Sequence, residues 1–295
     1  MNITRRDLLK TTSVAAVGSL ILPSVVGKAW ANGQQHDHST VVLIRNQNLF
    51  AGDKPDSAIC SQMLDEALCR LTGKGKADQA WESIVTAADV VGVKTNGWNK
   101  FPTPSVLEEI LKEKVLATGV KAENFSINDR GVLNDPVFRR ATALINIRPM
   151  RTHAWSGVGT LIKNYIMFSP KPSSYHDDSC ASLAALYDLP EVKGKTRLHI
   201  LVMFTPQFHH TAPTQFSEEF TWKYNGLLLG FDPVAVDATG LKIIEAKRHE
   251  HFGEHRPLNP PAKHILLADT QYRLGNADPS KIHLVKLGWD EASYV

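Results

Sequence analysis

Cysteine is scarce in this chain: Cys60, Cys69 and Cys180 are the three in 295 residues. No two form a Cys-x-x-Cys pair and no four-cysteine pattern occurs, so neither an intrinsic iron–sulfur cluster nor a thiolate zinc site is expected. Cys60 and Cys69 fall nine residues apart on one expected helix, roughly 13 Å by helical rise and too far for a disulfide. Cys180 could bridge either in an oxidising compartment, but buried free thiols are the preferred reading. Long apolar runs are missing beyond residue 31, which excludes a transmembrane helix there. Surplus charge is missing too. The formal +3 comes from Arg5, Arg6, Lys10 and Lys28 against Asp7, and without the first 31 residues the chain carries 29 basic and 29 acidic side chains. A nucleic-acid partner has no electrostatic support. There is no Gly-x-Ser-x-Gly elbow, Walker loop, dinucleotide fingerprint or His-Glu-x-x-His, so no familiar catalytic motif is present.

What is there begins at the N-terminus. Thr4-Arg5-Arg6-Asp7-Leu8-Leu9-Lys10, an apolar run from Val14 to Val26, and Ala29-Trp30-Ala31 have the form of a twin-arginine export signal with a small-x-small cleavage site. The expected partner is the twin-arginine translocase, and the expected location is the periplasm. That route carries folded proteins, so the signal hints at a group bound before export. Residues 32–39 are polar and expected to be flexible, with His36 and His38 more simply a frayed terminus than metal ligands. Residues 40–295 read as one large domain.

Strands are expected at Thr40–Arg45, Asp89–Lys94, Ser126–Asn128, Ala143–Ile147, Leu198–Phe204 and Leu227–Phe231. Helical periodicity falls at Pro55–Leu71, at a helix capped by Thr103-Pro104 and at one opened by Asp232-Pro233. Alternation of this kind predicts an α/β fold, a mainly parallel sheet flanked by helices.

Ligands of such sheets bind beyond the carboxyl ends of the strands. Those ends carry Lys94 and Asn96, then Asp129-Arg130, then Arg148 to His153, then His209-His210. Cations, amides and one carboxylate suit a small anionic ligand, or a metal with an anionic group. Lys163-Asn164 interrupts an otherwise apolar helical stretch after Gly157 and Gly159, and a lysine there must pair, snorkel or shift its pKa. Lys163, His153 and Asp129 are the expected catalytic groups. Lys94, Asn96, Arg151, Asn164 and Asp237 are the expected ligand-binding groups. His209 and His210 are weak metal candidates, since neighbours on a strand point opposite ways. Asp232 reads as a helix cap whose loss costs about 1 kcal/mol.

The same residues resemble the domain of unknown function 362 (DUF362) family. The resemblance lies in Asp89-Val90-Val91-Gly92-Val93-Lys94-Thr95-Asn96-Gly97, in Asp129-Arg130, in the run Ile145 to His153, in Gly157 to Asn164, and in Asp232-Pro233-Val234-Ala235-Val236-Asp237. Tyr272 to Gly275 and Asp278-Pro279 also fit. Arg151 stands where the family carries lysine, Gly159 where it carries threonine, and Phe204 where an acid is often found. The ferredoxin-like cysteine segment of many relatives is missing. The resemblance implies this fold and site and an association with redox physiology, but names no reaction. Two expectations follow: an exported, redox-linked enzyme binding a metal or an anionic cofactor, or a non-catalytic ligand-binding or accessory protein.

Overall fold

The computed structural model describes residues 37–210 and 215–295. The expected export signal, most of the polar segment after it and His36 lie outside the described residues. Strand β1 (Ser39–Arg45) leads through a small hairpin, β2 (Phe50–Ala51) and β3 (Lys54–Pro55), into α1 (Ser57–Thr72) and α2 (Ala77–Ile84). Then come β4 (Val91–Lys94), α3 (Ser105–Ala117), β5 (Phe125–Asn128), the short α4 (Pro136–Arg139) and the long β6 (Ala143–His153). β6 folds back into β7 (Gly157–Gly159), which is followed by the four-residue α5 (Leu161–Asn164). β8 (Thr196–Gln207), β9 (Gly226–Gly230), α6 (Pro233–Phe252), α7 (Lys263–Thr270) and β10 (Ile282–Gly288) complete the chain.

Eight strands form one sheet in the order β10-β1-β9-β8-β6-β4-β5, with β7 attached to β6. The pairs β1–β10, β6–β8, β4–β6 and β4–β5 are parallel; β9 runs against both its neighbours. The expected α/β architecture is therefore present, and the sheet is covered on both faces. Alternate residues of each strand divide between the layers. Val42, Ile44, Val93, Ile145, Ile200 and Leu229 pack under α1, α2 and α3. Val41, Leu43, Leu144, Leu201 and Leu228 pack against the layer that contains α5, α6 and α7. Two-sided burial explains why the strands read as continuous apolar runs.

Two details differ from the sequence reading. Thr103 is not the cap of α3. Pro104 occupies that position without a side-chain cap bond, and the Thr103 hydroxyl accepts a hydrogen bond from the Asn96 N–H instead (3.1 Å). The fourth strand runs to His153, past the predicted end at Ile147. Arg148-Pro149-Met150-Arg151 is too polar for an apolar-run criterion, yet β8 continues alongside and satisfies its backbone. Cys60, Cys69 and Cys180 are free thiols, as preferred; Cys60 and Cys180 are buried and Cys69 is half-buried. Among the described residues no helix is long and apolar enough to cross a membrane.

Asp232 caps α6 as expected, accepting from the N–H groups of Val234 (2.8 Å) and Ala235 (3.2 Å). It also accepts from the Ser39 hydroxyl (2.6 Å) and the Asn276 N–H (2.8 Å). One carboxylate thus fastens the first strand, the longest helix and the C-terminal loop. Asp232→Ala is expected to lower unfolding free energy by about 2–3 kcal/mol rather than the 1 of a simple cap, since several buried donors lose their acceptor. Urea unfolding checks this: a midpoint shift worth less than about 1 kcal/mol would mean that water replaces the carboxylate.

Candidate functional site

β4 leads by way of α3 to β5 on one side, and β5 leads by way of α4 to β6 on the other. The strand order reverses at β4, and the crevice at the carboxyl end of such a strand is the usual ligand position in α/β sheets. A cavity of about 530 Å³ opens there, and its lining includes Asn96, Asp129, Arg148, Arg151, His153 and Lys163.

The base of the cavity is a polar lattice. Lys94 is fully buried, and its ammonium donates to Asp129 Oδ1 (2.5 Å), the Thr95 carbonyl (2.7 Å) and Asn164 Oδ1 (3.4 Å). Burial pulls the Lys94 pKa down to about 8 against the opposing pull of Asp129. Burial pushes Asp129 upward, but the Lys94 charge, its hydrogen bond and the Gly97 N–H (2.9 Å) outweigh it and hold the carboxyl below its ordinary value. Asn164 ties α5 to the strand ends, donating to Asn146 Oδ1 (2.8 Å) and to the carbonyls of Lys94 (3.1 Å) and Ile147 (3.2 Å). Asn96 donates to the Phe101 carbonyl (2.9 Å) and shapes the loop after β4.

The walls are cationic. Arg148, Arg151 and Lys163 are 5, 4 and 3% exposed. Among the described residues no carboxylate forms an ion pair with any of the three. The Nε donors of Arg148 and Arg151 are buried without a partner. Arg151 donates to the Thr152 carbonyl (3.0 Å) and lies 4.0 Å over the Trp98 ring. Burial lowers Arg148 to about 10, against the pull of Asp129 and Asp237. Arg148 and Arg151 are three apart, so on a regular strand they would face opposite sides. Both nevertheless line the cavity, beside a register shift in which β8 advances five residues (Val202 to Gln207) against two of β6 (Pro149 to Arg151). Gly159 permits the close fit: a Cβ there would stand 2.8 Å from Arg148 Nη2.

Lys163 donates to Cys180 Sγ at 3.4 Å, a weak acceptor. Burial brings its pKa down to about 8, with Arg148 and Arg151 adding to the effect and Cys180 opposing it. Cys180 reaches this position through three successive left-handed residues, Asp178, Ser179 and Cys180 (φ 46°, 59° and 63°), a strained arrangement of a kind that clusters at ligand sites. His153 Nδ1 accepts from the Trp155 N–H (3.1 Å), which leaves its proton on Nε2. Burial first, then Arg151 and Lys163, hold His153 neutral. Trp155, 50% exposed, packs on the His176 ring with centroids 4.3 Å apart at the mouth.

The cavity thus gathers Asn96, Asp129, Arg151, His153, Lys163 and Asn164 from the expected set, with Lys94 directly behind Asp129. Asp237 lies elsewhere. It is fully buried, and its two oxygens accept from the Leu161 (2.9 Å) and Ile162 (2.9 Å) N–H groups, so it sets α5 rather than meeting the cavity. Burial raises its pKa to about 7 in spite of those bonds. His209 and His210 turn apart. His209 Nδ1 faces Arg248 Nη1 (3.3 Å) and His210 Nδ1 faces Thr152 Oγ1 (2.9 Å). Among the described residues no group of three or more His, Cys, Asp or Glu side chains is placed to hold a metal. Sequence reasoning placed Arg148 at a strand end but gave it no role, and left Trp98, Trp155, His176 and Cys180 out of the site. Trp98 follows β4, Trp155 sits in the turn between β6 and β7, and His176 and Cys180 share the segment before β8.

A family model described as Domain of unknown function (DUF362) matches residues 48–242. The chain belongs to the DUF362 family. The match spans β2 through the first half of α6 and therefore every cavity residue named above; β1, α7 and β10 lie beyond it. No curated protein and no solved structure matches the chain.

Proposed function

We propose that this DUF362 protein binds a small organic anion in the cavity at the carboxyl end of β4, and that it acts on it as an enzyme. The observation that carries the reading is three buried cations lining one cavity, none of them ion-paired with a carboxylate among the described residues. Burying an unpaired charge costs several kcal/mol, and an anion offsets that cost when it arrives. Arginine forks match carboxylate and phosphate oxygens in a way that a lysine does not. The flanking Trp98, Trp155 and His176 rings suit a ligand with a flat portion. A bare metal cation is repelled by this wall, so a metal would enter only as part of an anionic complex. Lys163 and His153, both shifted toward their neutral forms, are the acid–base pair. Redox-linked chemistry is the contribution of the family resemblance, not of these residues. The twin-arginine pattern at Arg5-Arg6 supports periplasmic export of the folded chain, with any tightly held ligand acquired before translocation.

A carrier or accessory role is the second reading. It is favoured by Asp129: the one carboxylate among the described lining residues is already engaged by Lys94 and offers no free base.

Thermal unfolding of the full chain with oxalate, citrate or inorganic phosphate, against chloride at equal ionic strength, tests the binding reading. At least one of these anions is expected to raise the melting temperature at pH 7 and to lose its effect as pH rises through about 8, where Lys163 gives up its charge. The ligand-free protein behaves in the opposite sense. Its Lys163 pKa is depressed below the unfolded value, so the cost of the buried ammonium is present below pH 8 and lifts as pH rises towards the unfolded value of about 10.4. If no anion exceeds chloride at any pH, the binding reading is wrong.

A further inference from the structure

Resting on the anion-binding reading, we infer that the ligand is a 2-oxo acid, and that the Lys163 amine forms an imine with its carbonyl carbon. The inference rests on where the amine is held and on what is kept away from it. Lys163 sits in the last turn of α5, whose first turn is pinned by both oxygens of Asp237. Lys163 lines the cavity and is 3% exposed, and among the described residues its Nζ has a thiol rather than a carboxylate as hydrogen-bond acceptor. Cys180 Sγ also lies 3.4 Å from the Trp155 carbonyl, so the thiol donates onward while it accepts from the amine. A surface lysine is a hydrated ammonium and a poor nucleophile. A desolvated lysine beside other cations gives up its proton more readily than a surface lysine, which is the usual way an imine-forming lysine is activated.

The two arginines fix the substrate class. Arg148, Arg151 and Lys163 line the same cavity, so a carboxylate held by the two guanidiniums brings its adjacent carbon into the space that the amine shares. A carbonyl at that carbon is the group an amine attacks. The nitrogen lone pair forms the N–C bond while the C=O π pair moves to oxygen, which takes a proton; the ammonium nitrogen so formed loses one. A second proton on that oxygen lets it leave as water as the C=N bond forms and nitrogen gives up its remaining exchangeable proton. His153, with its Nε2 proton and a neutral ring, is the carrier for these transfers. Carbonyl and amine give imine and water, with no oxidant or reductant.

The full chain is treated with glyoxylate and sodium borohydride at pH 7.5, digested and mapped by mass spectrometry. One carboxymethyl group is expected on Lys163, at least about tenfold faster than on exposed lysines, which are almost wholly protonated at that pH. Excess oxalate, which carries the carboxylates without a reactive carbonyl, is expected to suppress it. In Lys163→Arg the adduct is expected to vanish. Mapping the wild-type chain identifies the labelled lysine even if that variant does not fold. Labelling spread over exposed lysines, or no labelling, while oxalate still stabilises the protein overturns the imine and leaves the anion cavity standing. Loss of both effects overturns both readings.

Discussion

Replacing Arg148 by methionine is expected to weaken anion binding at least about 100-fold while raising the melting temperature of the ligand-free protein. The two effects have opposite signs because one group causes both. In the free protein the guanidinium is 5% exposed, its Nε has no partner, and its nearest balancing charges are Asp129, already paired with Lys94, and Asp237, already bonded to α5. Methionine fills much of the same volume and removes an uncompensated buried charge, a change that is often neutral or stabilising by about 1–4 kcal/mol. One kcal/mol corresponds to roughly 2–4 °C in a large domain. With an anion bound, the guanidinium becomes half of a buried charged pair, and removing one half of such a pair costs about 2–5 kcal/mol. Parallel melting curves with and without oxalate check both signs. A ligand-free melting temperature several degrees lower would show that Asp129 and Asp237 already balance Arg148, and that it is a structural cation. Stability held back in favour of a charged site is the usual compromise at functional positions.

Lys94→Met is expected to lower unfolding free energy by about 4 kcal/mol, the range measured when one partner of a buried pair is removed. The ammonium satisfies three acceptors at once, and without it Asp129, only 15% exposed, keeps the Gly97 N–H and the largely exposed Arg130 guanidinium at 4.0 Å. The variant's response to acid identifies the cause. In the wild type the Asp129 carboxyl is held below its unfolded pKa. The pairing therefore contributes stability that is fully present above the unfolded value of about 3.9 and is lost as pH falls through the folded value. In Lys94→Met that acid-side loss is expected to disappear, because Asp129 no longer ionises more readily in the folded state. Adding Asp129→Asn to Lys94→Met is expected to recover part of the deficit, since the stranded charge is then gone. Urea unfolding from pH 3 to pH 7 with an unchanged slope gives all three quantities. A loss under about 1 kcal/mol, with the wild-type acid response intact, would place the pair in solvent rather than in the core.

The contrast between these residues shows what was legible. Lys94 and Asp129 stand directly after apolar β runs, so local pattern sufficed to put them at strand ends, and parallel pairing of β4 with β5 put them side by side. Lys163 and Asn164 were conspicuous because polar groups interrupt an apolar stretch. Asp237 was misplaced for the same reason that Asp232 was read correctly. Both are acids near a helix start, and only the packing of α5 against α6 reveals that Asp237 serves a neighbouring helix. Arg148 and Arg151 cannot be placed in one cavity from spacing, because a regular strand's period of two separates them, yet both line it.

The sequence by itself determined the alternation of strands and helices, the two-sided burial of the sheet and the identity of several polar cavity residues. These rest on local periodicity and on which residue types a buried strand tolerates. The tertiary structure alone decided that the cavity is cationic. That property depends on which acids are already engaged: Asp129 by Lys94, and Asp237 by the N–H groups of α5. It also depends on which rings and thiols arrive from distant loops, and these are facts of packing between segments far apart in the chain. A neutral sequence can fold into a locally unbalanced site because charge balance is a property of composition, whereas the field in a cavity is set by the partners each charge finds there.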